Sequence, residues 1–504
     1  MLFNSYIFIL LFLPIAVTGY FLFNHFHKDQ LAKVFLLGMS LWFYSYFNVK
    51  YLPVILLSIG LNYLAGLFLL REGPGKAVRR LVFLIALLAN IGALFYFKYF
   101  DFFLENLNTA LKTDFNLLHL ALPLGISFFT FQQLAFLIDS YRRDVPKYPF
   151  LDYALFVAFF PKILQGPIAL HSEMIPQLQD AARKSFCYEN FSKGLMAVAF
   201  GLAKKVLLAD TFGKLVDWGY ADVGALDTVS ALLVMLAYTL QIYFDFSGYC
   251  DVASGICSML NIELPMNFNS PYKALTVYDF WKRWHITLTR FFRTYIYFPL
   301  GGSRKGTLRT YFNIFLIFFV SGIWHGANWT FILWGALHGV YQIVGDATDR
   351  LRGRVYAALH VSRTGRLACA WQCLCTFALV NAAWVFFRAA SVHDALYVLT
   401  AQFRNVSLTG LLADIRAIAA SFNAKSLLSA AFLAFVLLAL AGGVLLDCAR
   451  RFKAPGGDLS ARMLSLPLIF RWLLYYALAA FIFAGFLMNN GYFATAANFL
   501  YNNF

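Results

Sequence analysis

Charged residues are scarce in this sequence. Of its 504 residues, 13% are Asp, Glu, Lys or Arg and 61% are hydrophobic, and the mean hydropathy is +0.66. A soluble domain usually has about 25% charged residues. The composition therefore excludes an ordinary soluble domain and indicates a protein that resides in a membrane, with lipids as its surroundings.

Motifs for metal, thiol and phosphate chemistry are also missing. The sequence has no HExxH pattern, no CxxC pair, no Gly-rich phosphate loop and no serine in a nucleophile-elbow context. The seven cysteines lack paired spacing, which argues against a disulfide framework and favours small core residues. We expect no metal site and no bound cofactor.

Long apolar runs, in contrast, are abundant. A spanning helix needs about 20 apolar residues. The first run lacks the basic flank of a signal peptide, so we expect it to remain as the first helix. The runs predict an all-α polytopic protein with roughly 11–13 transmembrane or re-entrant helices. The longest cover residues 6–23, 51–70, 81–97, 231–244, 311–324, 427–446 and 468–488.

The net charge of +16 is concentrated in short connections between the apolar runs. Short connections rich in Lys and Arg mark the cytoplasmic side of a membrane. Residues 71–80 are basic and residues 101–114 are acidic, so we expect the first connection inside, the second outside and the N-terminus outside. This placement argues against a nucleic-acid partner.

Residues 267–310 are aromatic and basic, with Asp279 as the only acid. The segment is too charged to cross a bilayer and too apolar for a free loop, which is typical of interfacial or re-entrant structure. No repeat or soluble domain is visible, so we expect one membrane-embedded domain over residues 1–504, with this segment on the cytoplasmic side.

His325 is the most informative ionisable residue, because it lies deep in an apolar stretch between Gly322 and Gly326. Glycines permit another backbone or a thin substrate to approach closely. An uncharged imidazole in such a place suits a general base. The alternative is a buried histidine that is satisfied by a backbone carbonyl.

Two other histidines are candidates. On a continuous helix His338, 13 residues after His325, would point to nearly the opposite face, so we expect it to pack or to orient another group unless the helix breaks between them. His285 follows Trp281 at the i+4 spacing of a helical face. That pair could stack a flat or cationic group, or simply pack in the core.

Two blocks together resemble a known family. They are FWKRWHITLTRFFRTYIYFPLGG at 280–302 and SGIWHGANWTFILWGALHG at 321–339. The combination is similar to the membrane-bound O-acyltransferases, especially the bacterial branch with alginate and peptidoglycan O-acetyltransferases and the D-alanine transfer protein of teichoic acid. FFPKILQGPI at 159–168 and YFDFSGYCDVASG at 243–255 fit as well.

The resemblance implies a ring of helices around a tunnel in a bacterial cytoplasmic (inner) membrane. It implies that His325 is catalytic and that His285 is the second marked polar position. It also implies that an acyl group passes from a cytoplasmic donor to a surface polymer through an extracytoplasmic SGNH-type partner. Alginate, peptidoglycan and other exopolysaccharides stay open as acceptors.

The chain ends in FLYNNF at 499–504, which resembles the F-x-Y-x-x-F ending of surface-polymer acylation systems. The resemblance implies that Tyr501 carries the acyl group, and the alternative is an aromatic interface tail. The expected donor is acetyl-CoA or another acyl thioester, whose phosphates the basic segment would attract. The predicted substrate-binding residues are Trp281, Lys282, Arg283, Trp284, Trp324 and Asn328.

Other functions are possible. A proton-coupled transporter could use Asp245, Asp251 and His325 as a relay, although no internal symmetry of the transporter kind is visible. A teichoic-acid D-alanyl transfer protein is a second alternative, and a non-catalytic scaffold is a third. An O-acyltransferase, with acetyl as the expected acyl group, accounts for the histidine blocks and the tail together.

Overall fold

The structure is a computed structural model that describes residues 1–403 and, beyond them, residues 409, 466–467, 469–473, 476–477 and 480. These residues form helices and connections, and no β-strand occurs among them. The all-α prediction is therefore confirmed. The apolar run at 427–446 and the tail at 499–504 lie outside the described residues, as does most of the run at 468–488.

Eighteen α-helices make up the described part of the chain. They are α1 Leu13–His25, α2 Asp29–Ser45, α3 Leu52–Leu69, α4 Lys76–Leu94, α5 Phe100–Leu111, α6 Ile126–Arg142, α7 Phe150–Ala158, α8 His171–Gln179, α9 Tyr188–Ala203, α10 Asp210–Ala221, α11 Thr228–Met259, α12 Val277–Trp281, α13 Ile286–Phe292, α14 Thr307–His325, α15 Trp329–Ala347, α16 Asp349–Ala358, α17 Arg366–Arg388 and α18 Val392–Ala401. Prolines in the first turns of α1 and α3 begin those helices where a missing N–H is harmless.

Within the described residues, six helical stretches are long and apolar enough to cross a bilayer. This confirms a multi-pass membrane protein. The predicted total of helices, the ring and the tunnel stay predictions. The six stretches are Phe8–His25, Val49–Leu69, Lys76–Leu111, Thr228–Met259, Thr307–His325 and Arg366–Arg388.

The chain folds into two compact units. Among the described residues, the first comprises 1–200 and 249–266. Its interior contains a buried ion pair, in which Lys33 Nζ lies 2.5 Å from Asp152 Oδ1. It also contains His171, whose Nε2 lies 3.1 Å from Asp139 Oδ2. Pairing with Asp152 compensates the cost of burying the Lys33 charge.

The second unit comprises residues 201–248 and the described residues from 267 onward. In it α14 and α15 form a helical hairpin whose closest point lies at two glycines. A Cβ on Gly322 would lie 2.4 Å from the Phe331 carbonyl oxygen, and one on Gly335 would lie 2.3 Å from that of Phe318. Only residues without a Cβ permit this approach, as the sequence predicted for Gly322.

The basic and aromatic segment at 267–310 belongs to the second unit. It folds into the short helices α12 and α13, a π-helical turn at Arg293–Tyr297 and the beginning of α14. Before α14 it contains no helix long enough to span a bilayer, in agreement with the sequence. Its position at the cytoplasmic interface stays a prediction.

Candidate active site

The chain around His285 is bent more sharply than the sequence predicted. Helix α12 begins at a cap, where Thr276 Oγ1 accepts a hydrogen bond from Asp279 N (3.0 Å), and it ends at Trp281. His285 then adopts a left-handed backbone conformation with φ 44° and caps α13. The expectation that Trp281 and His285 share one helical face is therefore wrong, because the helix ends between them.

His285 is fully buried. Its Nδ1 lies 3.2 Å from Asn267 Oδ1, and the ring of Phe246 stands edge-on at 4.8 Å between centroids. Burial lowers the pKa of the His285 imidazole to about 3, because an apolar environment disfavours the charged form. The imidazole is consequently neutral at physiological pH.

His325 is the last residue of α14, where the chain leaves the helix at Gly326 and re-enters a helix at Trp329. Its side chain is buried in an aromatic box. The ring centroids of Trp324, Trp334 and Phe387 lie 4.8, 4.9 and 5.2 Å from its own. The break in the helix places this imidazole at the end of the α14–α15 hairpin, against the start of α15.

Trp324 connects the two candidate catalytic histidines. Its ring centroid lies 4.8 Å from that of His325 and 6.4 Å from that of His285. Residues from separate sequence blocks therefore meet around one indole. The catalytic roles of His325 and His285 stay predictions.

The His338 side chain is held by contacts with two tryptophans. Trp281 Nε1 donates a hydrogen bond to His338 Nδ1 at 3.1 Å, and both side chains are buried. The His338 ring also packs on Trp334 at 5.1 Å, on the indole that contacts His325. The expectation that His338 packs or orients another group is confirmed, and the group is Trp281.

The other predicted substrate-binding residues occupy varied places. Trp284 is buried between Phe280 and Trp384, at 5.6 and 4.9 Å between ring centroids. Arg283 Nε forms an ion pair with Asp279 Oδ1 at 2.8 Å. These contacts give both side chains a structural function.

The polar atoms of Asn328 are used in hydrogen bonds within the protein, whereas the Lys282 side chain is exposed. Asn328 Oδ1 accepts from Thr330 N (2.9 Å) and Nδ2 donates to the Ala390 carbonyl (3.1 Å), so both ends of the amide are used. We leave Asn328 out of the proposed binding site. Lys282 is exposed, with Nζ 4.3 Å above the ring of Tyr278, and its binding of an anionic donor stays a prediction.

A buried charge cluster lies elsewhere in the second unit. Lys205 Nζ is 2.8 Å from Asp210 Oδ1 and 2.8 Å from Asp245 Oδ1. The pairing with Lys205 explains why an ionised Asp245 can be buried within an apolar helix. This ion pair provides a structural alternative to the proton relay for Asp245.

The predicted acyl carrier and the expected absence of a metal site both stay predictions. Tyr501, the predicted acyl carrier, lies outside the described residues. Among the residues that the structure describes, no group of three or more His, Cys, Asp or Glu side chains is arranged to hold a metal ion.

Asn267 and the aromatic box were not identified from the sequence. Asn267 begins the unusual basic segment, but nothing in the sequence shows that it lies beside a histidine 18 residues later. Phe387 lies 62 positions after His325 in the sequence. It reaches the box because α17 packs on α15. Contacts at such separations arise only in the folded chain.

Comparison with known proteins indicates the family of this chain. The chain is 44% identical over 425 residues to the peptidoglycan O-acetyltransferase of Helicobacter pylori, which covers 79% of each chain. It is 36% identical over 408 residues to the probable alginate O-acetylase AlgI of Pseudomonas aeruginosa, covering 80% of this chain and 75% of the relative. A teichoic acid D-alanyltransferase of Bacillus subtilis is 27% identical over 43% of this chain.

The model of the membrane-bound O-acyltransferase family matches residues 34–392. This range contains both histidine blocks and parts of both compact units. With its helical, multi-pass architecture and its buried histidines, the chain belongs to the membrane-bound O-acyltransferase family.

Proposed function

We propose that this protein transfers an acetyl group from a cytoplasmic thioester, acetyl-CoA, across the bacterial cytoplasmic membrane for O-acetylation of a cell-surface polysaccharide. The observation that carries the proposal is that His285 and His325 border the same Trp324 ring. Relatives named as O-acetylating enzymes match about four fifths of the chain and support acetyl as the acyl group.

The chemistry needs a base and accurate positioning, because a thioester is already activated. In the proposed step His325 takes the proton of an attacking hydroxyl while that oxygen bonds to the carbonyl carbon. The C–S bond then breaks, and the thiolate of coenzyme A takes the proton back from His325. The buried aromatic box keeps water from the base, which protects the thioester from hydrolysis.

The first acceptor in this proposal is the phenol of Tyr501. A phenol has an unperturbed pKa of about 10, so a neutral imidazole beside it would increase its nucleophilicity. An acyl-tyrosine would divide one transfer across the membrane into two easier steps. A separate SGNH-type protein on the outer side would pass the acetyl group to the sugar hydroxyl.

The acceptor polymer is the remaining part of the proposal. Relatives are named for peptidoglycan and for alginate, and the first has the higher identity. Peptidoglycan is therefore the first acceptor to test, and alginate oligosaccharides are the second. The teichoic acid D-alanyltransferase match covers less than half of this chain and supports that alternative less well.

Transfer of radiolabel from acetyl-CoA to the purified protein in nanodiscs tests the proposal. Wild type should become labelled, and His325→Ala should lose about 10²-fold or more of the rate because a general base contributes about that much. Tyr501→Phe should stay unlabelled. His393→Ala is the matched control, since the His393 side chain is 88% exposed on α18, and it should label like wild type.

The outcomes separate the parts of the proposal. Full labelling of His325→Ala would show that His325 is not the base. Labelling of Tyr501→Phe would exclude Tyr501 as carrier but leave the enzyme class intact. If wild type stays unlabelled yet the added polysaccharide becomes acetylated, transfer is direct; if neither is labelled, acetyl-CoA is not the donor.

A further inference from the structure

The side-chain oxygen of Asn267 is surrounded by hydrogen-bond donors. Its Oδ1 accepts from the backbone N–H of Thr287 at 3.2 Å and from Thr287 Oγ1 at 2.9 Å. The third neighbour is His285 Nδ1, also at 3.2 Å. All three side chains are buried, so these bonds have no competition from solvent.

This arrangement determines which nitrogen of His285 carries the proton. A backbone N–H can only donate, so the Thr287 bond requires that the Asn267 oxygen, and not its NH₂ group, faces this cluster. His285 Nδ1 must then be the donor to that oxygen. A neutral imidazole has one N–H, so Nε2 of His285 carries the lone pair.

Nε2 of His285 is buried and has no hydrogen-bond partner among the described residues. Buried polar atoms nearly always have a partner, and an exception in a native fold calls for an explanation such as a missing ligand. Burial lowers the pKa of the imidazole to about 3. The lone pair therefore stays available instead of being filled by a proton from solution.

The backbone keeps Asn267 and His285 together. The Asn267 carbonyl accepts from Ile286 N at 3.0 Å, and Asn269 N donates to the Arg283 carbonyl at 2.9 Å. His285 itself has a φ of 44°, a conformation that costs energy for a residue with a Cβ and that clusters at functional sites. The backbone hydrogen bonds and the left-handed conformation of His285 together keep its ring beside Asn267.

We propose that Asn267 is a positioning residue that holds His285 with its proton on Nδ1, so that Nε2 accepts a hydrogen bond from an O–H or N–H group of the substrate. This inference rests on the proposed function for the nature of the substrate. In this proposal His285 acts as a hydrogen-bond acceptor for the substrate. His285 cannot, in this tautomer, donate from Nε2 to an oxyanion, and that task falls to other groups.

The tautomer can be measured without any reaction. The ¹⁵N shifts of the imidazoles are recorded for histidine-labelled protein in nanodiscs, and the His285 signals are assigned by their loss in His285→Gln. A neutral ring protonated at Nδ1 is expected at pH 7. A ring protonated at Nε2, or an imidazolium, would overturn the inference whether or not the protein transfers acetyl groups.

The pH dependence of acetyl transfer tests the function of Asn267. Asn267→Asp keeps an oxygen acceptor for Nδ1 and adds a negative charge, which stabilises the imidazolium and raises the pKa of His285. In this buried site the carboxylate should raise the pKa of His285 from about 3 by several units, into the range that the acidic limb of kcat/KM reports, so the limb should move to higher pH by about one unit or more. Asn267→Ala should lower kcat about 10-fold or more and abolish the Nδ1-protonated signal.

Asn381→Asp is the matched control. Asn381 is a buried amide in the same unit, where its Nδ2 donates to Thr239 Oγ1 at 2.7 Å and to the Met235 carbonyl at 3.2 Å. This variant should lose stability without moving the acidic limb. If Asn267→Asp and Asn381→Asp lose activity equally and neither moves the limb, Asn267 is only structural.

Failure of the inference differs from failure of the proposed function. A wild type that transfers acetyl groups, with an unchanged limb in Asn267→Asp, refutes the positioning role alone. A wild type that transfers nothing refutes the function, and the ¹⁵N measurement then still decides the tautomer.

Discussion

At the residue scale, two buried histidines of one unit carry their protons on opposite nitrogens. His285 Nδ1 faces the Asn267 oxygen, whereas His338 Nδ1 accepts from the Trp281 indole, so a neutral His338 holds its proton on Nε2. The sequence shows both only as histidines in apolar surroundings. Their partners determine that one offers a lone pair at Nε2 and that the other holds an indole in place.

Removing the acceptor at His338 should therefore affect stability. In His338→Leu the Trp281 N–H is left buried without a partner, which costs about 1–3 kcal/mol. His338→Asn should recover part of this loss, since an amide oxygen can replace Nδ1. The midpoint of thermal unfolding in detergent measures the effect, and equal midpoints for His338→Leu and wild type would contradict it.

At the scale of elements, the α14–α15 hairpin positions His325. The two helices meet where Gly322 and Gly335 face each other, and a Cβ on Gly322 would lie 3.2 Å from the Cα of Gly335. His325 follows Gly322 by three residues, at the end of α14. Any separation of the helices would consequently move the imidazole within its aromatic box.

Gly322→Ala should for this reason impair catalysis more than folding. Its Cβ would lie 2.4 Å from the Phe331 carbonyl oxygen, which forces the helices apart. A displacement of about 1 Å at a reacting group can cost 10²-fold in rate, and acetyl-transfer kinetics on the folded fraction measure it. Gly345→Ala on α15 is the control, because no heavy atom lies within 4 Å of its added Cβ; an equal loss in both variants would refute the packing argument.

At the scale of the whole molecule, the distribution of charge predicts the orientation in the membrane. Residues 101–114 are acidic, but they form most of α5 and the chain after it, not the connection that the sequence predicted. Residues 348–365, between α15 and α17, are basic, and short basic connections stay in the cytoplasm. The orientation matters for the proposed direction of transfer, because the proposal has the thioester donor in the cytoplasm and the polysaccharide acceptor outside.

Cysteine labelling in intact cells tests this orientation. A cysteine-free protein carrying Thr113→Cys, in the chain after α5, should react with a membrane-impermeant maleimide, whereas Ser362→Cys should react only after permeabilisation. Both positions are exposed, so accessibility to reagent depends on the side of the membrane. Labelling of Ser362→Cys in intact cells would reverse the predicted topology.

Much of the fold and part of the site followed from local patterns. Apolar runs of spanning length predicted the helical membrane protein, and glycines beside His325 predicted a close backbone approach. The break after Trp281 was missed, because an i+4 spacing assumes a continuous helix. The Trp281–His338 bond joins residues 57 positions apart, and no local pattern contains it.

The sequence by itself determined the membrane environment, the helical class, the family and the two histidine blocks, since these depend on composition and on residues that are neighbours in the chain. The tertiary structure decided what each histidine contacts. His285 acquires its tautomer from Asn267, His325 its aromatic box from α14, α15 and α17, and His338 its indole from α12. Hydrogen-bond direction and ring packing depend on distances between segments that are remote in the chain, and only folding sets those distances.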